Sequence, residues 1–246
     1  MKNFLKKIFS LEVRIFFEDI SRNLNKLFRI YFKNSRFASN NLDIKLKKYL
    51  NYRNGFYIEL GANNGLLASN TYHLQKKLNW KGLLIEPCFN LYIEAIRNRG
   101  SCNTILNYAC VSFNEKREIL ELDYADSMTV SRDIRNNLKS IDNHLDMAKN
   151  YLKDNQKIEK IYCKTSTLND LLIKSKAPLA MDFLSLDTEG SELEILKGID
   201  FNVFSFYYIL IESRDIFEIK QFLKRFNYEL IEKLTIHDFL FKKAIE

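Results

Sequence analysis

Residues 56–65 read Phe56-Tyr-Ile-Glu-Leu-Gly-Ala-Asn-Asn-Gly65, an apolar run of strand length that breaks into two glycines four positions apart. Glycine enters positive φ without steric strain and lets backbone approach a neighbour closely, and asparagine is among the few other residues that tolerate that region. Gly61, Asn63 and Gly65 therefore spell a tight turn, with Ala62 and Asn64 inside it. The next polar cluster, Ser69-Asn70-Thr71, offers capping side chains and free N–H groups at a helix start, a place suited to a ligand carboxylate. Strand, glycine turn and helix in that order make a nucleotide loop. A dinucleotide fingerprint would need glycines at 63 and 66, where the chain has Asn63 and Leu66, so a nicotinamide cofactor is disfavoured.

Outward from this loop, short apolar runs alternate with helical patterns. The runs at 56–60, 82–86, 104–111, 181–187 and 207–212 read as strands, and 69–78, 89–99, 167–174 and 189–196 as helices. Such alternation implies parallel strands joined by right-handed crossovers, hence an α/β fold with an open, doubly wound sheet. A helix near 216–225 and two further runs, 228–233 and 239–242, predict a C-terminal antiparallel hairpin closing that sheet. The segment 119–122 reads as an extra short strand. Residues 124–158 are polar and weakly periodic, as expected of a lid-like insertion.

Hydrophobic residues make up 46% of the 246 and charged ones 28%, with only two prolines, a composition that belongs to a folded globular chain. Nine of the Lys and Arg side chains fall within residues 1–36 against three acids, so most of the net charge of +7 sits there. The remainder is near neutral, which argues against a broad nucleic-acid-binding face. Within the first 33 residues Leu5, Phe9, Val13, Phe16, Ile20, Leu24, Leu27 and Tyr31 recur at helical spacing. The division expected is a basic amphipathic helix over 1–36, contacting the domain, a second subunit or an anionic membrane surface, and a catalytic domain over 37–246. The four cysteines show no metal-type spacing and read as reduced thiols. No run is long enough to span a bilayer, and no signal peptide is recognisable, so the expected location is cytoplasmic, with peripheral contact at the inner face of the membrane through that helix.

Acids recur where strands end. Glu59 precedes the glycine turn, a position suited to a cofactor carrying an amino group and a positive sulfonium. Glu86, followed by Pro87, closes the second strand, where a carboxylate can accept hydrogen bonds from a ribose diol. Asp187 and Glu189 follow the fourth strand and Glu212 ends the fifth, all at the edge where open α/β sheets bind ligands. Ala109, near the end of the third run, is placed in the same cofactor set.

Taken together, the motifs resemble the FkbM-type methyltransferases. The resemblance rests on Glu59 with Gly61-Ala62-Asn63-Asn64-Gly65 and Ser69-Asn70-Thr71, on Trp80-Lys81-Gly82 through Glu86-Pro87, and on Asp187-Thr188-Glu189-Gly190 with Leu196-Lys197-Gly198 and Ile211-Glu212. It runs from about residue 37 to 243. Glu59 departs from the family's usual Asp, and Asn79 stands in the place of a glycine. The resemblance implies a Rossmann-like class I methyltransferase that binds S-adenosyl-L-methionine and O-methylates a sugar or glycan, with no nucleic-acid partner expected. Methyl transfer from a sulfonium is an in-line displacement, so positioning dominates, and a hydroxyl acceptor must also lose a proton. Asp187 is the first candidate for that base, with Glu189 and Glu212 as alternatives or orienters. His73 and His144 stay open as bases and a metal is left unassigned. A nucleic-acid methyltransferase and a non-catalytic interaction module remain as rival readings.

Overall fold

The computed structural model describes residues 37–100, 102–150, 152 and 157–244. The N-terminal helix expected over 1–36, with its proposed contacts, lies outside the described residues. In chain order the elements are β1 (Phe56–Leu60), α1 (Tyr72–Leu78), β2 (Lys81–Ile85), α2 (Phe89–Arg99), β3 (Thr104–Leu106), β4 (Ala109–Val111), β5 (Ile119–Tyr124), α3 (Ile141–Ala148), β6 (Glu159–Thr167) and α4 (Leu168–Lys174). They continue with β7 (Ala180–Leu186), α5 (Glu192–Leu196), β8 (Ser205–Glu212), α6 (Phe217–Lys224), β9 (Tyr228–Lys233) and β10 (Asp238–Lys243). Short helical turns over residues 39–48 precede β1.

Seven strands form one sheet in the order β3-β2-β1-β7-β8-β10-β9, and β4-β6-β5 form a second, smaller one. The large sheet is parallel except for β10, which runs antiparallel to β8 and β9 and makes the expected closing hairpin. Both faces of its centre are covered, which is why these strands read as near-continuous apolar runs. Alternate side chains of one strand go to opposite faces. Ile58, Leu184 and Ile209 pack with Leu168, Leu171, Ile195 and Leu223 on one side. Tyr57, Phe183 and Leu210 pack with Leu42, Leu46, Leu74 and Trp80 on the other. Truncating any such buried leucine to alanine costs about 2–5 kcal/mol.

The chain leaves β1 toward β2 on one side and returns at β7 on the other, so a crevice opens outside the carboxyl ends of β1, β2 and β7. Register makes those ends level, because Leu60 pairs with both Ile85 and Leu186. Leu186 in turn pairs with Ile211, which sets Asp187 and Glu212 side by side one residue further on. Four loops thus open at one edge of the sheet.

Four expectations change. The run 104–111 is two strands in two sheets, broken at Asn107, whose side-chain amide donates to the carbonyl oxygens of Glu86 and Pro87 at 2.8 Å each. Strand β6, at 159–167, carries too many polar residues to show an apolar run, yet it is the middle strand of the small sheet, paired with β5 through residues 159–164 and with β4 through 165–167. The insertion also has structure of its own. Helix α3 starts with the Ser140 hydroxyl accepting from the Asn143 N–H at 3.2 Å, and Ala125, Val130, Leu145 and Ala148 form a separate apolar cluster under it. Helices α1 and α5 begin three residues later than the sequence pattern suggested, at Tyr72 and Glu192, because the preceding polar residues fold into turns that bind acids.

Candidate active site

The turn after β1 is built as its residues dictate. Gly61, Asn63 and Gly65 all take positive φ, at 71°, 48° and 74°. A Cβ on Gly61 would lie 1.8 Å from the carbonyl oxygen of Asp187, so only glycine lets this turn meet the end of β7. Asn64 shapes the rest, its side-chain oxygen accepting from the N–H groups of Leu66 and Leu67 at 3.1 and 2.8 Å.

An open cleft lies against this turn. Gly61, Asn63, Glu86, Pro87, Ala109 and Asp187 line it, together with Glu189. Its far wall comes from the small sheet and the insertion, through Leu120, Leu122, Val130 and Ile134. Of these the sequence pointed only to the loop and strand-end residues. The insertion was read as a lid, and residues within 126–134 of it do line the cleft, but Tyr108, Thr188 and those individual positions were not singled out, since local sequence does not tell which residues of an insertion face a pocket.

Glu86 is buried, and its two oxygens accept from the Asn63 and Cys88 N–H groups at 2.8 and 2.9 Å. Each oxygen retains a lone pair for a hydroxyl of a bound ribose. Burial pushes its carboxyl up to about 7 despite those two bonds.

Glu59 has a different setting. It does not line the cleft, and its oxygens accept from the Ser69 hydroxyl (2.9 and 3.0 Å), the Asn70 N–H (2.9 Å) and the Thr71 hydroxyl (2.6 Å), with the Arg99 guanidinium 3.5 Å away. Ser69, Asn70 and Thr71 are accordingly buried and turned onto Glu59, and the Ser69 oxygen accepts the Tyr72 N–H at the start of α1. Ala62, Asn64 and Gly65 support the turn from outside the cleft wall. Arg99, on the last turn of α2, went unnoticed in the sequence because a basic residue at a helix C-terminus is ordinarily a solvated one.

On the other side of the cleft, Asp187, Glu189 and Glu212 bring one oxygen each to within 4.8 Å of one another. Such a set of carboxylates suits a hard divalent cation and is the one group of three such ligands among the described residues. Glu189 sits outside α5 with a positive φ of 52°, a conformation that costs energy in a non-glycine residue and turns its carboxylate toward its neighbours. Glu192, fully buried, holds that turn by accepting from the Thr188 N–H and hydroxyl and the Gly190 N–H, each at 3.0 Å. Burial, and then the charge and hydrogen bond of Glu212, hold the Asp187 carboxyl well above the usual carboxylate range. Burial and Glu212 push Glu189 up to about 8, against a partial offset from Arg214, whose Nη1 lies 3.6 Å away.

Helix α3 adds His144, whose Nε2 donates to the Met128 carbonyl at 2.9 Å and lies 3.7 Å from Glu189 Oε2. Burial lowers its basicity, which favours the neutral ring. The other candidate histidine, His73, is buried on α1 with neither ring nitrogen bonded, and burial lowers it to about 4. Arg214 was also missed, although a cation two residues past a strand-end acid is a signal that could have been read.

Beyond Gly190 a second cleft, of about 500 Å³, is lined by Arg135, Asn136, Asn137, Asp215 and Glu218 among others, and no aromatic side chain faces it.

Among curated proteins no sequence matches this chain. Solved structures with a similar outline include the methyltransferase FkbM of Methylobacillus flagellatus KT, at 12% identity over 92% of this chain and 60% of that one, with a TM-score of 0.44. A candidate RNA methyltransferase from Pyrococcus horikoshii matches at 10% identity over 89% and 88%, TM-score 0.41. An S-adenosyl-L-homocysteine complex of a SAM-dependent methyltransferase from Thiobacillus denitrificans matches at 9% over 84% and 72%, TM-score 0.36. Likenesses this distant say nothing about substrate. The sequence profile of the Methyltransferase FkbM domain matches residues 59–230, which span the glycine turn, both strand-end acid sites and most of the large sheet. With its motifs joined along one edge of a doubly wound sheet, the chain belongs to the FkbM methyltransferase family, with S-adenosyl-L-methionine as methyl donor.

Proposed function

We propose that the protein O-methylates a hydroxyl group of a sugar or glycan. The observation that carries this reading is the cluster of Asp187, Glu189 and Glu212 at the cofactor cleft, with the Asp187 and Glu189 carboxyls raised by burial and by the neighbouring charge of Glu212. A carboxylate with raised basicity is a suitable acceptor for an alcohol proton near neutral pH. In the reaction the acceptor oxygen attacks the methyl carbon, the carbon–sulfur bond breaks to leave the neutral thioether, and the hydroxyl proton passes to a carboxylate. Asp187, beside the glycine turn, is assigned that proton, with Glu189 and Glu212 orienting the acceptor.

Within the cofactor site, Glu86 is assigned the ribose, and Gly61 and Asn63 the methionine end. Acids and amides around the second cleft suit a polyhydroxylated acceptor, since each hydroxyl both donates and accepts. A nucleic acid would bring its phosphates toward clustered carboxylates, which repel them.

The test is incubation with methyl-labelled cofactor and separate glycan, lipid and RNA fractions. Label in a base-stable methyl ether of a carbohydrate is expected. Label confined to RNA, or to a base-labile ester, overturns the proposal.

A further inference from the structure

The guanidinium of Arg99 is the one fully buried arginine among the described residues, and every partner it has lies on a single stretch of chain. Nη1 donates to the Gly65 carbonyl at 2.8 Å and the Ser69 hydroxyl at 3.0 Å. Nη2 donates to the Tyr57 hydroxyl at 2.6 Å and the Thr71 hydroxyl at 2.8 Å. Glu59 lies 3.5 Å from Nη1, and the rings of Tyr57 and Tyr72 flank the cation at 5.4 Å each. All of these belong to residues 57–72, which are β1, the glycine turn and the start of α1. Arg99 itself stands on α2, which follows β2 and Glu86 in the chain.

This arrangement joins the two halves of the cofactor site through one planar cation. A guanidinium offers several donors in a fixed plane, whereas an ammonium is a point charge that cannot copy the fork. The contact is close on the turn side as well, since a Cβ on Gly65 would lie 2.7 Å from Arg99 Cγ. Next to it the Asn98 side chain donates to the Asn64 carbonyl at 2.8 Å. On the cleft side the same turn presents the Asn63 N–H to Glu86.

We propose that Arg99 is a positioning residue for the methyl donor, fixing the Gly61–Gly65 turn relative to Glu86 through Glu59, Ser69 and Thr71, so that Glu59 acts as a framework anion instead of touching the cofactor. The inference rests on the assignment of this cleft to S-adenosyl-L-methionine. It separates the charge of Arg99, which stabilises the fold by answering Glu59, from its fork, which sets the geometry of the turn.

The experiment compares wild type, Arg99→Lys and Arg99→Met by thermal melting and by calorimetric titration with S-adenosyl-L-homocysteine. Arg99→Lys is expected to recover most of the melting temperature lost in Arg99→Met while binding at least tenfold more weakly than wild type. Recovery of stability without recovery of affinity is the outcome that a purely structural role does not produce. Wild-type affinity in a folded Arg99→Lys protein overturns the proposal. Should neither variant fold, Tyr57→Phe and Thr71→Val each remove one neutral acceptor from the fork. Each is then expected to weaken binding about threefold, and unchanged affinity in both overturns the proposal. Absence of binding by the wild-type protein would instead remove the cofactor assignment itself.

Discussion

Two sets of acids stand at the same edge of the sheet, Glu59 buried and the other three half-buried, and they are treated in opposite ways. Glu59 has a cation and three hydrogen-bond donors around it, so its charge is answered inside the protein. Asp187, Glu189 and Glu212 face one another, with Arg214 at 3.6 Å as the nearest counter-charge to Glu189. Both are partly or wholly withdrawn from water, and the supply of partners differs. An answered buried acid holds structure in place, whereas an unanswered one stores repulsion that a cationic ligand, a proton or a metal ion relieves. The sulfonium of S-adenosyl-L-methionine is such a cation.

The comparison breaks most directly at Asp187. Asp187→Asn is expected to lower turnover by roughly 10²–10⁴-fold while keeping affinity for S-adenosyl-L-homocysteine, measured by initial rates and calorimetry on one preparation. A near-normal rate would move the proton to Glu189 or Glu212.

Next in size is an asymmetry in stability. Glu59→Ala leaves Arg99 buried and unpaired, and such a loss costs about 3–5 kcal/mol. Glu189→Gln removes a repulsive charge and is expected to stabilise the cofactor-free protein at pH 9, on the order of 2 kcal/mol. Urea midpoints of both variants test the contrast, and destabilisation of equal size in the two would dissolve it.

A pH dependence follows with a definite sign. The folded-state carboxyls of Glu86 and Glu189 are raised, to about 7 and about 8. Their contribution to stability is complete below the unfolded value near 4.5 and is lost as pH rises through 7 and then 8. Wild-type cofactor-free protein should therefore lose stability between pH 6 and pH 9, and Glu189→Gln should lose less. Flat melting temperatures across that range would contradict the assignment.

The smallest effect concerns the two forms of the cofactor. Only the donor carries a positive sulfonium, so its affinity relative to S-adenosyl-L-homocysteine should rise roughly three- to tenfold between pH 6 and pH 9, as Glu189 ionises. A constant ratio would place the sulfonium away from the cluster.

The parts of this molecule that were legible in the chain are those governed by neighbours in sequence. The run at Phe56–Leu60, the glycine turn with Asn63 at positive φ, and the hairpin of β9 and β10 follow from short-range sterics and periodicity. Strand β6 was illegible because its residues are polar, and its pairing with Ile119–Tyr124 is fixed by partners about forty positions away. The break at Asn107 was hidden for the same reason, since its amide is held by carbonyls of another loop.

The site divides along the same line. The sequence alone determined which acids end which strands, because strand ends are a local matter. Only the tertiary structure decided what each acid faces: Arg99 and two hydroxyls for Glu59, N–H groups for Glu86, and other carboxylates for Asp187. A charge responds to whatever lies within a few ångströms in space, and the pairing of Leu186 with Ile211 is what brings residues twenty-five positions apart to that distance.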